Sequence, residues 1–270
     1  MKSVLTVKEN DIIARAMGNP QLTNCYLSYA DLAKKIETNE ISCFRHGSIL
    51  VLLHMMEGFY KFYYFMETPD VPDPATFAGI QEVLGKYPVL VAEIVTKTQD
   101  SIPPILKKMG FCPYKKYIRK QLITGSENIS GNSDRVELAD VRDLNDIYQL
   151  LYSTFDVISD HLVTKEELQF FITSSQTLKL CVGDKMAGVL IFETFGRKSY
   201  LRTICVSEEF IGRNMGRSLI ETYIKWKRDG TKLFYLWVES TNEKAIHLYD
   251  SIGYRDDGLT EYIYRKGQWH

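Results

Sequence analysis

Few cysteines, almost no net charge and no long apolar run narrow this chain before any motif is considered. The five cysteines, Cys25, Cys43, Cys112, Cys181 and Cys205, are odd in number and show no Cys-x-x-Cys spacing. That pattern argues against a disulfide framework or a zinc site and for reduced, mostly buried thiols; no metal is expected. A net charge of −1 supplies no strong field to draw in nucleic acid or an anionic membrane, and neither partner is expected. The longest apolar run, Ile49-Leu-Val-Leu-Leu53, is strand length, far short of the roughly 20 residues of a membrane span. The first ten residues lack the apolar core of a signal peptide, so a cytoplasmic location is expected.

What is present is the composition of a soluble globular protein, 45% hydrophobic and 25% charged over 270 residues, enough for about two domains. The turn formers of Thr124-Gly-Ser-Glu-Asn-Ile-Ser-Gly-Asn-Ser-Asp134 mark a linker. Domains are therefore expected at 1–124 and 135–270, joined by 125–134. Beyond Gly125 there are 18 basic and 22 acidic residues, a mild acidity that leans towards a cationic or amine-bearing substrate.

Periodicity predicts the elements of the C-terminal part. Val141, Leu144, Ile147, Tyr148 and Leu151 share a helical face behind a potential Asp140 cap. Thr164 and Glu167 form a capping box for a helix over 165–173. Strands at 178–182, 187–195 and 200–206, separated by Gly183-Asp184 and Gly196-Arg197, read as an antiparallel meander. A helix at 215–228, a strand at 232–239, a helix at 242–251 and a strand near 262–265 follow. The order describes an α+β (mixed α/β) domain with helices packed on one mostly antiparallel sheet.

Two segments point to a chemistry. Val206-Ser-Glu-Glu-Phe-Ile-Gly-Arg-Asn-Met-Gly216 reads as a strand, a glycine-containing turn and a helix N-terminus, which suits the pyrophosphate of a nucleotide cofactor. Asn242-Glu-Lys-Ala-Ile-His-Leu-Tyr-Asp-Ser-Ile-Gly-Tyr254 reads as a capped helix with a tyrosine one turn before its glycine stop. Together they resemble the acyl-CoA loop and the following Asn-x-x-Ala-x-x-Leu-Tyr-x-x-x-Gly-aromatic helix of the GNAT superfamily of N-acetyltransferases. The second segment matches at each fixed position. The first departs from the family's Arg/Gln-x-x-Gly-x-Gly/Ala: Ile211 stands at the basic or amide position and Asn214 at the first glycine. Asparagine tolerates positive φ, so the turn can form, and Arg213 or Arg217 can supply the missing charge.

The N-terminal half echoes the same order, with strands at 42–45, 48–53 and 58–66, a helix at 75–84, a strand at 89–95 and a short helix at 104–109. Ile105-Leu-Lys-Lys-Met-Gly-Phe111 aligns with Leu248-Tyr-Asp-Ser-Ile-Gly-Tyr254, and Tyr117-Ile-Arg-Lys120 with Tyr262-Ile-Tyr-Arg265, so the chain resembles two tandem GNAT copies. The first copy is degenerate at the phosphate turn. Glu67-Thr-Pro-Asp-Val-Pro-Asp-Pro74 lacks N–H donors at its prolines and carries carboxylates that repel phosphate. Leu106 takes the tyrosine position.

The resemblance implies direct acetyl transfer from acetyl-CoA to an amine of a small molecule or peptide. Ile204, Cys205, Val206, Ile211, Gly212, Arg213, Asn214, Met215, Gly216, Arg217, Asn242, Ala245 and Tyr249 would contact the cosubstrate. In the family the strand at 204–206 offers backbone N–H groups to the pantetheine and the thioester carbonyl. Tyr249 is either a plain core residue, since Ala245, Leu248, Tyr249 and Ile252 have the spacing of a buried face, or, by the resemblance, the acid that protonates the leaving thiolate. Glu193 and Glu239 are the candidate general bases, with a water chain as the alternative. His247 falls on the opposite, exposed face, and Cys205 has no catalytic partner placed by motif. Two other readings stay open: an aminoacyl-tRNA-dependent transferase of the tandem-GNAT type, and a non-catalytic CoA-binding regulator.

Overall fold

The structure is a computed structural model describing residues 5–70, 72–97, 102–129 and 135–268. It divides into two compact units, Met1–Lys115 with Glu261–His270, and Lys116–Thr260. Residues 116–124 therefore go with the second unit and 261–270 with the first, across the cut expected from sequence. Of the expected linker, 130–134 lie outside the described residues.

The first unit runs α1 (Val7–Ala16), α2 (Tyr29–Glu37), β1 (Ile41–His46), β2 (Ile49–Met55), β3 (Tyr60–Met66), α3 (Pro74–Leu84), β4 (Leu90–Thr96) and α4 (Pro104–Lys108). It also takes the first residues of β5 (Cys112–Ile123). Helices α1 and α2 were not anticipated, although Thr6 and Glu9 close a capping box and Ser28 caps α2. Strands β1, β2 and β3 pair antiparallel. Core residues on one face of the sheet meet α1 and α2, and those on the other meet α3 and α4.

Strands β3 and β4 pair in parallel only at Tyr60–Lys61 with Leu90–Val91. Beyond that point the chain itself fills the gap. Thr23 bridges to Phe65, its Oγ1 donating to Tyr64 O at 2.6 Å. Asn24 accepts from Tyr64 N at 2.9 Å and donates to Phe62 O at 2.9 Å and Glu93 O at 3.4 Å. One side chain thus supplies the hydrogen bonds that a neighbouring strand would otherwise make.

The second unit repeats the order with β6 (Val136–Leu138), α5 (Leu144–Thr154), α6 (Lys165–Thr173), β7 (Thr177–Val182), β8 (Lys185–Phe195), β9 (Lys198–Val206), α7 (Met215–Lys227), β10 (Leu233–Glu239), α8 (Glu243–Ile252) and the first part of β11 (Arg255–Lys266). Strands β6 to β9 form an antiparallel series. Strand β10 pairs in parallel with β9 and antiparallel with the second part of β5, where Leu233–Glu239 face Tyr117–Ile123. The alternating burial of β10 sends Phe234, Leu236 and Val238 into the core under α7 and α8, with Tyr223, Tyr249 and Ile252. Helices α5 and α6 cover the opposite face through Ile147, Leu151, Leu168 and Phe171. No helix of the described residues is long and apolar enough to cross a membrane.

Candidate active site

In the second unit β9 and β10 pair only from Lys198 and Leu233 to Leu201 and Leu236, although β9 continues to Val206 and β10 to Glu239. The cause lies in the register with β8. Ile191 faces Thr203 and Phe192 faces Leu201, so Arg202 is an extra residue in β9. A bulge of this kind bends a strand and increases its twist, and here it turns β9 away from β10 where their pairing ends. Residues 202–206 and 237–239 consequently flank an opening. Unlike its counterpart in the first unit, no strand residue bridges it among the described residues. Glycine is required at 188, because a Cβ there would lie 2.8 Å from Cys205 O and 3.0 Å from Leu219 Cδ1.

The turn after β9 alternates between extended and left-handed backbone. Ile211 is extended, Gly212 has φ +82° and Asn214 sits in the left-handed region at φ 61°, ψ 15°, immediately before α7. Asn214, read from sequence as tolerating positive φ, adopts it. The N–H groups of the first turn of α7 have no helical acceptor, and its 13 residues orient a partial positive charge towards the turn. Arg213 is exposed over this turn, its guanidinium 5.5 Å from the Phe210 ring centroid. Arg217 is occupied elsewhere: it donates to Glu221 Oε1 at 2.8 Å, Ser251 Oγ at 2.8 Å and Asn128 O at 3.2 Å. It ties α7 to α8. Ile211 is exposed, and Met215 packs against the core.

The ends of β9, α7 and α8 meet at Gly216. A Cβ on Gly216 would stand 3.5 Å from Leu248 Cδ2 and 3.7 Å from Val206 Cγ2, ordinary contact distances. The chain itself therefore leaves room for a methyl group there. Asn242 caps α8, accepting from Ala245 N at 3.1 Å. Tyr249 is 5% exposed, its ring edge-on to Tyr254 with centroids 5.8 Å apart. Among the described residues its hydroxyl has no hydrogen-bond partner, and burial pushes its pKa up. His247 is exposed.

On the face covered by α5 and α6, Glu193 accepts from Arg202 Nη1 at 2.8 Å, while Arg202 also reaches His161 O at 3.4 Å. Glu239, at the end of β10, accepts from Thr241 at 3.0 Å and stands directly opposite Tyr117 of β5. Tyr200 and Tyr235 stack with centroids 5.0 Å apart. Arg119, held by Asp257 at 2.7 Å, lies 5.7 Å from the Tyr235 ring and 5.9 Å from that of Trp237. Ile204 and Val206 pack towards the α7–α8 core. Cys205 points the other way, its Sγ 3.4 Å from Thr154 Oγ1, with burial raising its thiol pKa. Sequence reasoning missed Tyr117, Arg119, Asp160 and Arg202. The first two lie upstream of the linker, and nothing local in the sequence marks a bulge at 202.

Residues 144–254 match the model of the acetyltransferase (GNAT) family. A [ribosomal protein bS18]-alanine N-acetyltransferase from Salmonella typhimurium is 32% identical over 94 residues, which cover 34% of this chain. The chain spans 64% of the length of that relative. Among solved structures, a GCN5-related N-acetyltransferase from Sphaerobacter thermophilus aligns with a TM-score of 0.61 at 13% identity, covering 94% of this chain and 91% of its own. A tandem GNAT protein from the clavulanic acid biosynthesis pathway aligns with a TM-score of 0.56 at 10% identity over 90% of each chain. At these identities the structures speak for the fold alone.

Proposed function

From the match of residues 144–254 to the model of the acetyltransferase (GNAT) family, we propose that the chain moves an acetyl group from acetyl-CoA directly to an amine. The observation that carries this reading is the opening between β9 and β10, which begins at the Arg202 bulge and leads to the left-handed turn at the start of α7. The pyrophosphate would rest on the first-turn N–H groups of α7 and the turn at Gly212–Asn214, with Arg213 supplying a cation. The pantetheine arm would lie along 204–206 as an added strand does, and backbone N–H groups of the bent segment would meet the thioester carbonyl.

The acceptor amine, with a pKa near 10, must lose a proton before it attacks the thioester carbon. Glu193 accepts from Arg202 and Glu239 from Thr241, and both are kept as candidate bases. Attack forms the C–N bond, and collapse of the tetrahedral intermediate breaks the C–S bond. Tyr249 would donate its proton to the departing sulfur. Burial makes this phenol a weaker acid, but the same dry surroundings make the thiolate a stronger base, so the pair stays matched. The acceptor class remains an amine of a small molecule or a peptide.

One acetyl-CoA would bind per chain, in the second unit. In the first unit Thr23 and Asn24 occupy the gap between β3 and β4. Asp73 takes the N–H groups of Ala75 and Thr76 at the start of α3, at 2.9 and 3.0 Å. Of the expected acidic, proline-rich segment at 67–74, residue 71 lies outside the described residues. The experiment pairs calorimetric titration of CoA with transfer of labelled acetyl groups to polyamines, aminoglycosides, amino acids and peptides beginning with alanine. One CoA equivalent and a labelled amide product are expected; two equivalents, or no product from any amine, would reject the reading.

A further inference from the structure

Tyr117 precedes the linker in sequence yet sits at the end of β10 in the second unit, directly opposite Glu239. It is 7% exposed, and its hydroxyl donates to Asp160 Oδ1 at 2.6 Å and lies 3.2 Å from Ser159 Oγ. Both partners belong to the connection between α5 and α6, which is folded on itself. Asp160 Oδ2 accepts from Asp156 N at 2.8 Å, Asp156 Oδ1 from Ile158 N at 3.0 Å, and Asp156 Oδ2 from Ser159 Oγ at 2.9 Å. The connection is thus an internally braced loop that the buried Tyr117 phenol ties to β5. Arg202 adds a longer contact through His161 O at 3.4 Å. Burial first, and then the Asp160 carboxylate, hold the phenol protonated as a donor.

We infer that Tyr117 is a positioning residue for the acceptor: by pinning the α5–α6 connection to the sheet beside Glu239, it sets the width of the entrance through which the amine reaches the thioester. The inference rests on the acyl-transfer reading and adds a residue from outside the family-matched segment. A hydrogen bond to a charged acceptor is among the stronger ones, and its loss should loosen the loop without touching the turn at α7 or the opening at 204–206.

The test is a double-mutant cycle with Tyr117→Phe and Asp160→Ala in the full chain, reading KM for amine and for acetyl-CoA together with amide exchange over 155–163. Tyr117→Phe should raise the amine KM about tenfold, leave the acetyl-CoA KM within about twofold, and speed exchange in the loop. In the Asp160→Ala background it should add much less, because the shorter, charged contact is already gone and only Ser159 Oγ at 3.2 Å remains. An unchanged amine KM, or equal changes for both substrates, would overturn the role of Tyr117 while leaving the transferase reading intact. Wild-type protein that acetylates no amine would overturn both.

Discussion

Cutting the chain at residue 135, where the sequence suggests the C-terminal domain begins, should yield a fragment that does not fold. The cut removes β5, which pairs with β10 at all seven positions from Leu233 to Glu239. It also removes Leu122, 1% exposed, Ile118, packed on the same core, and Tyr117, buried on the other face. Burying three such side chains contributes about 5–7 kcal/mol at about 2 kcal/mol each. The ion pair of Lys120 with Asp250 of α8, at 2.7 Å, is lost as well. A domain has only about 5–15 kcal/mol in total, and the stripped β10 would expose an edge prone to association. Circular dichroism melts, gel filtration and CoA calorimetry on fragments 135–270 and 116–260 would check this. The longer-starting fragment 116–260 should melt cooperatively, whereas 135–270 should aggregate or lack a transition. If 135–270 melts within about 5 °C of 116–260 and binds CoA equally well, β5 is not part of the working unit.

Tyr249→Phe should preserve the fold, since the ring still packs on Tyr254 and the lost hydroxyl has no partner among the described residues. Turnover should fall by about 10²–10⁴-fold with little change in the acetyl-CoA KM; a loss under about threefold, with chemistry rate-limiting, returns the residue to the core. Gly216→Ala should bind CoA nearly as wild type, because the methyl meets Leu248 and Val206 at ordinary distances. Gly216→Asp should weaken binding far more than it lowers the melting temperature, through charge repulsion at the phosphate turn; equal CoA affinity for all three proteins would show the turn to be misassigned. In the first unit, burial and then Lys35 and Lys61 lower the pKa of His54 to about 4. The unfolded imidazole takes its proton first, near pH 6.5, so stability present above that pH is lost as pH falls towards 4. The slope is at most about 1.4 kcal/mol per unit, reduced by partial solvent access. Urea midpoints from pH 7 to 4.5 should fall less steeply in His54→Gln, and parallel slopes would reject the assignment.

Local signals served well where a few neighbouring residues decide the outcome. The Thr164/Glu167 capping box predicted a helix at 165–173, where α6 lies. Asparagine at 214 reads as tolerating positive φ, and the backbone is left-handed there. The same kind of local signal, Thr6 with Glu9 and Ser28 with Asp31, marks the starts of α1 and α2. The proposed phosphate turn has a local signature, because anion binding by a helix start depends on consecutive backbone groups. The inferred acceptor side has no such signature, because Arg202, Tyr117 and Asp160 come from segments far apart in sequence.

Composition, helix caps and strand periodicity were enough by themselves to indicate a mixed α/β chain, and the two motifs carried the resemblance to the GNAT family, whose model matches residues 144–254. These features depend on interactions a few residues apart, and those are written directly in the order of side chains. The tertiary structure alone decided which strands are neighbours. It put β5 beside β10 ahead of the linker, opened β9 from β10 at a one-residue bulge, and filled the corresponding gap of the first unit with Thr23 and Asn24. Strand pairing is chosen by long-range burial and by the register that satisfies each backbone hydrogen bond, and a strand's own alternation is compatible with many partners.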